Sequence, residues 1–287
     1  MDFLSPLRYP GGKAKVASFV QKLIIQNDIL DGVYIEPFVG GGSVALSLLF
    51  NECVSDIYIN DIDISIFAFW HSALCETERL CKLIQDTPVN MDVWRTQRYI
   101  QVNKDKEDLL TLGFSTFFLN RTNRSGIINA GVIGGNEQTG NYKIDARYNK
   151  IDLIKRIQRI AEYVDRIHLF NDDAIRLIEL LSPKLPTKSL LYFDPPYYVK
   201  GKGLYLNYYN DEDHKNIADT VKNLQSFRWI VSYDNVEFIT SLYSNYRQHV
   251  FELNYSASNS GKGKEVMIFS NNLTIPNHKL FNDSNYL

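Results

Sequence analysis

Four consecutive residues, Asp194, Pro195, Pro196 and Tyr197, carry the densest chemistry in the chain, directly after the apolar run KSLLYF. A strand ending there presents Asp194 at its carboxyl end, where ligands bind in open α/β sheets. Proline has no N–H, so Pro195 and Pro196 leave carbonyl acceptors on a stiff backbone. Tyr197 adds a flat ring beside them. Two acceptors and a π-face suit an exocyclic amino group on a planar base, which offers two N–H donors and a surface to stack on. An isolated Asp-Pro is more often a strand stopping at a turn, so the chemical reading needs support from elsewhere in the chain.

A second pattern supplies it. Gly40, Gly42 and Ala45 in GGGSVA fit G-x-G-x-x-G/A, after the strand-like GVYIEPF, which carries Glu36 and Phe38. Glycine lets backbone approach a ligand closely, and the helix that opens there offers free N–H groups. About 20 residues further on, at the end of the next strand, stands the acid expected to bind ribose hydroxyls: Asp61, Asp63 or both. The combination predicts an adenosine-containing cofactor. A hydride-transfer enzyme carries the same fingerprint but gives no reason for the Asp-Pro-Pro-Tyr turn. The other Gly-Gly-Lys, in YPGGKAK, fails as a phosphate loop. Leu7 stands where the first Gly belongs and Ala14 replaces the Ser/Thr, which argues against nucleotide hydrolysis.

The order RYPGGK, EPFVGGGSVAL and DPPY resembles the Dam-like, D12-class DNA adenine-N6 methyltransferases, which use S-adenosylmethionine. The resemblance runs from Leu7 to around Asn271 and includes FFLNRTNRSGI, YKIDARYNK and Asp213–His214. It implies that Tyr9 and Lys13 hold the methionine end of the cofactor, with Lys13 on its carboxylate. Glu36, Phe38, Gly40 and Gly42 would line the cofactor, Asp61 would bind the ribose, and Asp172 would lie near the adenine. Asp194, bordering the cofactor, and the Pro195 carbonyl would accept from the target N6 amino group, while Tyr197 stacks on the flipped base. Glu36 and Asp172 also read as strand-end caps, and His214 as a packing residue. Direct in-line transfer would release S-adenosylhomocysteine and would require neither a metal nor a covalent intermediate. Other methyl acceptors compete: RNA adenine, cytosine N4, protein glutamine, or none in a catalytically silent relative. Those enzymes often begin the turn with Asn or Ser, so Asp194 favours DNA adenine.

The elements that must position these residues read as a mostly parallel α/β sheet, and the resemblance implies a Rossmann-like α/β methyltransferase fold, a mixed seven-stranded sheet flanked by helices with an inserted, mainly helical domain. Strand candidates are GVYIEPF, VSDIYIND, RIHLFNDD, KSLLYFDPP, FRWIVSYD, RQHVFELNY and KEVMIFSN, the closely spaced last two forming an antiparallel edge. Residues 1–69 and 151–287 are assigned to the catalytic domain and 70–150 to a target-recognition insertion. Helical patterns run from Ile66 to Gln85 and from Asp108 to Asn120. In KIDLIKRIQRIAEYV, the residues Ile151, Ile154, Ile157, Ala161 and Val164 are expected on one core face, and Asp211 is expected to cap DEDHKNIADTVKNLQ. Residues 271–287 read as a polar tail. Residues 114–150 of the insertion are locally basic: Arg121, Arg124, Lys143, Arg147 and Lys150 stand against Glu137 and Asp145. Arg121, Asn123, Arg124, Lys143 and Arg147 are the candidate contacts to double-stranded DNA. GATC-methylating relatives carry Leu-x-Arg after the NRT segment. Here the neighbourhood is GIINAG, so GATC specificity is not expected.

Composition is compatible and uninformative: 45% hydrophobic, 22% charged, net charge −2. The three cysteines match no zinc spacing and point to a reducing compartment. No apolar run reaches the roughly 18 residues of a membrane span, and the N-terminus lacks a signal pattern. The expectation is a cytoplasmic protein, bacterial or encoded by a phage or plasmid, with a cognate restriction endonuclease as a possible partner.

Overall fold

A computed structural model describes residues 4–8, 14–199, 209–254 and 262–280. In chain order the elements are α1 (Ala14–Gln26), β1 (Gly32–Glu36), α2 (Ser43–Phe50), β2 (Val54–Asn60), α3 (Ile64–Cys75), α4 (Thr77–Asp86) and α5 (Met91–Val102). They continue with α6 (Leu109–Thr122), α7 (Lys150–Ala161), β3 (Ile167–Phe170), α8 (Ala174–Leu181) and β4 (Ser189–Phe193). The last are α9 (Asp211–Asn223), β5 (Arg228–Asp234), α10 (Glu237–Leu242), β6 (Arg247–Asn254) and β7 (Lys262–Phe269). Two compact units result, one built on the sheet and one on Ile62–Asp165.

The seven strands form one sheet in the order β3-β2-β1-β4-β5-β7-β6. β3, β2, β1, β4 and β5 are parallel, and β7 runs antiparallel to both β5 and β6. This is the mixed, helix-flanked sheet read from the sequence, with the last two strands at the edge as expected. β1 and β4 are buried along their whole length, as strands covered on both faces must be. Period-2 alternation sends Ile35, Leu191, Val231 and Ile268 into one core layer with Leu177 of α8 and Ile217 of α9. On the other face Phe19 of α1 meets Phe269 edge-on at 5.9 Å.

Local signals set the helix boundaries, and the cap of α9 differs from expectation. α9 is capped by Asn210 and not by Asp211: its side chain accepts from the Glu212 and Asp213 amides, while Asp213 accepts from the Asn210 N–H. The supposed tail is docked through residue 280, with Leu273 and Leu280 buried. Asn27 explains this, since its side chain bonds both the N–H and the carbonyl of Thr274 at 2.7 and 2.8 Å.

The helical unit is wider than the 70–150 insertion read from the sequence, because α3 and α7 pack with α4 and α6. α3 and α6 approach closely at Gly113, where a Cβ would lie 2.4 Å from the Ala68 carbonyl oxygen. The pattern from Ile66 to Gln85 divides into α3 and α4 at Glu76, whose backbone leaves the helical region (φ −131°, ψ 32°). α5 escaped the sequence reading because it has little apolar stripe: only Gln97 is buried along it, and Ser115 and Gln101 side chains bond α5 to α6. On α7 the expected core face is right at Ile157, half-buried at Ile154 and Ala161, and wrong at its two ends. Ile151 is 68% exposed and Val164 lies beyond the helix, while Leu153, Ile157 and Ile160 are buried. The true stripe steps i, i+4, i+7; the expected one drifted around the axis by using i+3 twice in succession. No helix among the described residues is long and apolar enough to cross a membrane.

Candidate active site

The parallel strands deliver the predicted residues to one edge of the sheet. The glycine loop follows β1, Asp61 follows β2, Asp172 lies beyond β3, and Asp194 is the first residue after β4. β1 and β4 are neighbours, and strand order reverses between them, which is where ligands bind in doubly wound sheets.

In the loop after β1, Gly40 and Gly42 adopt left-handed φ values of 46° and 61°, a region that favours glycine. Gly42 is the N-cap of α2 and no side chain caps that end. The Asp61 carboxylate accepts the Gly40 N–H at 3.0 Å, joining the loop to the end of β2. Asp63, the alternative acid, is committed elsewhere: it caps α3 through the Ser65 N–H and lies 3.5 Å from the Lys104 ammonium. Glu36 is buried at the end of β1, and Phe38 meets Tyr209 edge-on at 6.3 Å. Tyr9 and Lys13 lie outside the described residues.

Asn60 laces these loops together. Its amide donates to the carbonyls of Pro37 and Asp172 and its oxygen accepts the Asp172 N–H, all at 2.9 Å. Asp172 in turn accepts the Asp173 N–H and lies 3.6 Å from Arg176. Sequence reasoning passed over Asn60; the available signal was a polar residue closing the apolar-rich end IYIN of its strand.

The turn after β4 is held from β5 and β7. Ser232 donates to the Asp194 carboxylate at 2.6 Å. Two residues on, Asp234 accepts the N–H groups of Tyr198 and Val199 at 2.9 and 2.8 Å. Opposite Asp234 on β7, Glu265 accepts the Tyr197 hydroxyl at 2.6 Å. Tyr197 is buried and Asp194 half-buried. Tyr198 stacks on Phe238 at 4.7 Å and lies beside His214, so it packs; Gly201 and Gly203 lie outside the described residues. His214 is buried with Nδ1 3.1 Å from the Tyr233 hydroxyl, and burial holds its pKa below the usual histidine value against the pull of Asp234, Asp213 and Asp211. Burial likewise raises Tyr209, with the charges of Asp173, Asp213 and Asp61 adding to it. Among the described residues no cluster of three or more His, Cys, Asp or Glu could hold a metal ion.

In the helical unit the expected DNA contacts divide. Arg124, Lys143 and Arg147 are exposed. Arg121 is half-buried and donates to the Arg147 carbonyl at 2.7 Å; burial, with Arg8 and Arg156 nearby, brings its guanidinium down to about 9. Asn123 is fully buried, and its whole side-chain amide is engaged. It accepts the Trp94 indole N–H at 2.7 Å and donates to the Ile127 and Ile128 carbonyls. Asn123 therefore shapes the loop closed by its bridge to Val132 and drops out of the surface set.

A curated relative, the type II methyltransferase M.MjaIII of Methanocaldococcus jannaschii, is 25% identical over 262 residues, covering 84% of this chain and 88% of its own. Solved structures aligned with the chain include the rRNA methyltransferase aviRa from Streptomyces viridochromogenes, 10% identical with a TM-score of 0.41 over 92% of this chain and 87% of that one. TrmN from Thermus thermophilus is 11% identical with a TM-score of 0.40 over 88% of this chain, which spans only 48% of TrmN. Residues 9–257, taking in both the glycine loop and the Asp-Pro-Pro-Tyr turn, match the family of D12 class N6 adenine-specific DNA methyltransferases, and the chain belongs to that family.

Proposed function

We propose that Asp194 and the Pro195 carbonyl accept the two N6 hydrogens of a target adenine while Tyr197 stacks on the base. The observation that carries this reading is the Asp194 carboxylate, half-buried at the strand-order reversal with its direction fixed by Ser232. The N6 lone pair is delocalised into the purine ring, so the free amine is a weak nucleophile. Acceptors on both hydrogens draw the nitrogen toward sp³ and free the lone pair. Positive charge then develops on N6, and Asp194 stabilises it more in the transition state than before it. The base leaves the duplex to reach the turn. Tyr197, anchored at its hydroxyl by Glu265, needs an uncovered ring face for stacking, so we place its exposure at the binding step.

The donor is S-adenosylmethionine, which supplies a sulfonium methyl when bound. The left-handed glycines, the α2 N-terminus without a side-chain cap, and Asp61 beside them fit an adenosine ligand. Asp61 is assigned to the ribose, Asp172 to the adenine side, and Tyr9 and Lys13 to the methionine end. We assign the helical unit to target recognition, with Arg124, Lys143 and Arg147 meeting phosphates or base edges of double-stranded DNA. Arg121 and Asn123 hold the scaffold for them. A cognate endonuclease that cuts the same unmethylated sequence completes the proposal, prompted by the type II relative.

Methyl-transfer kinetics with long duplex DNA test the core of it. Asp194→Ala is expected to lose roughly 10²-fold or more in turnover, the scale of removing one transition-state hydrogen-bonding group, while S-adenosylmethionine binding measured by calorimetry persists. Near-normal turnover in that variant overturns the assignment.

A further inference from the structure

We propose that Tyr192 and Ser232 form a buried hydroxyl relay that positions the Asp194 carboxylate, an inference that rests on the role given to Asp194 above. β4 and β5 pair in parallel, with Phe193 opposite Val231 as their last pair. Asp194, the first residue after β4, and Ser232 on β5 each follow that pair, and Ser232 Oγ lies 2.6 Å from Asp194 Oδ1. Behind the serine, the Tyr192 hydroxyl lies 2.9 Å from the same Oγ. Tyr192 and Ser232 are both buried, at 0% and 1% exposure.

Proton counting gives the relay a direction. A serine hydroxyl has one hydrogen, and an ionised carboxylate only accepts. The Ser232 hydrogen therefore goes to Asp194, and in the bond behind it Tyr192 has to be the donor. Burial raises the Tyr192 phenol, helped by the charges of Glu36 and Glu265, so it keeps its proton at working pH. The resulting O–H···O–H···O⁻ chain is one in which each bond polarises the next.

The need for such a relay follows from the aspartate itself. An aspartate carboxylate turns in a broad torsional well about its last side-chain bond, whereas a target amino group has to meet an oxygen at a defined angle. Ser232 sets that angle, and Tyr192 fixes the serine rotor. Ser232 and Asp234 are two apart on β5 and share one face of the strand. One strand thus holds the acid at the start of the turn and the backbone N–H groups at its end. Ser232 and Tyr192 are positioning residues; neither touches the base in this account.

Single-turnover methylation of long unmethylated duplex DNA of mixed sequence, using labelled S-adenosylmethionine, tests the relay. Ser232→Ala is expected to slow the methyl-transfer step on the order of tenfold, the scale of losing one hydrogen bond to a charged group. The dissociation constants for DNA and S-adenosylmethionine stay within about twofold of wild type, which is the split expected when ground-state binding is untouched. Tyr192→Phe removes a single oxygen and slows the same step by a smaller factor. Because Tyr192 acts through Ser232, the double variant is no slower than Ser232→Ala alone. Losses that multiply, losses confined to binding, or a full rate in Ser232→Ala each overturn the relay. Should Ser232→Ala fail to fold, Tyr192→Phe decides alone: an unchanged transfer rate overturns the proposal. Asp194→Ala, run alongside, separates the two claims. Normal methylation by that variant sinks the role of Asp194 itself, whereas its inactivity together with full activity of Ser232→Ala sinks only the relay.

Discussion

Asn60 bonds three backbone groups that belong to the chain beyond β1 and the chain beyond β3. The bond to the Pro37 carbonyl is buried and the two to Asp172 are part-buried, and a buried group left unsatisfied costs about 1–3 kcal/mol. Asn60→Ala is therefore expected to destabilise the protein by roughly 2–4 kcal/mol, read from the urea midpoint. It is also expected to weaken S-adenosylmethionine binding, because Pro37 stands between Glu36 and Phe38 and Asp172 is itself assigned to the cofactor. A variant with wild-type stability would show that Asn60 is replaceable by solvent. At this scale Asp194, Asp61 and the two glycines were legible, since each belongs to a short local pattern. Ser232, Asp234 and Glu265 were not: they reach the turn from strands far along the chain, and nothing in IVSYD or KEVMIF marks that meeting.

Elements were legible where one apolar period dominates and illegible where polar contacts do the packing. The seven strands, α2 and α9 follow from their patterns. α5 does not, because hydrogen bonds from Gln101 and Ser115 hold it in place of an apolar stripe. α7 has isoleucines on more than one face, so the sequence offers two stripes and only packing selects between them. The structural choice gives a paired prediction. Ile157→Ala is expected to cost about 2–5 kcal/mol as a core truncation. Ile151→Ser, at a 68% exposed position, is expected to stay within about 0.5 kcal/mol. Denaturant titration of both variants checks it, and a reversed order would mean that the face is misassigned.

For the whole molecule, three histidines set how stability responds to pH. Burial lowers His214, His249 and His278 below the ordinary value of 6.5, with Arg247 adding to the second and Lys22 and Lys279 to the third. His278 shows why geometrically: its Nδ1 accepts the Leu280 N–H, leaving Nε2 to donate to Ser18, an arrangement that needs the neutral ring. Above pH 6.5 folded and unfolded chains both keep these rings neutral, so they contribute no slope. As pH falls through 6.5 the unfolded chain takes up protons that the folded chain refuses, and stability declines until the folded values are reached. The melting temperature is thus expected to be flat from about pH 8 to 7 and to fall toward pH 5. Calorimetry at pH 6 should register proton uptake on unfolding; proton release there would contradict the assignment.

The sequence by itself determined the chemistry: a glycine turn opening a helix and an acid-proline-proline-tyrosine turn are written within a few residues, and the acid at the next strand end follows Gly40 by 21 residues. The alternating strands and helices likewise determined a mostly parallel sheet, because local hydrophobic period reports which faces are buried. Only the tertiary structure decided what holds Asp194 still, which face of α7 is core, that Asn123 is interior and that residues up to 280 are docked. Those outcomes depend on hydrogen bonds and packing between residues separated by up to 260 positions, as between Ser18 and His278, and no local period encodes such a partner.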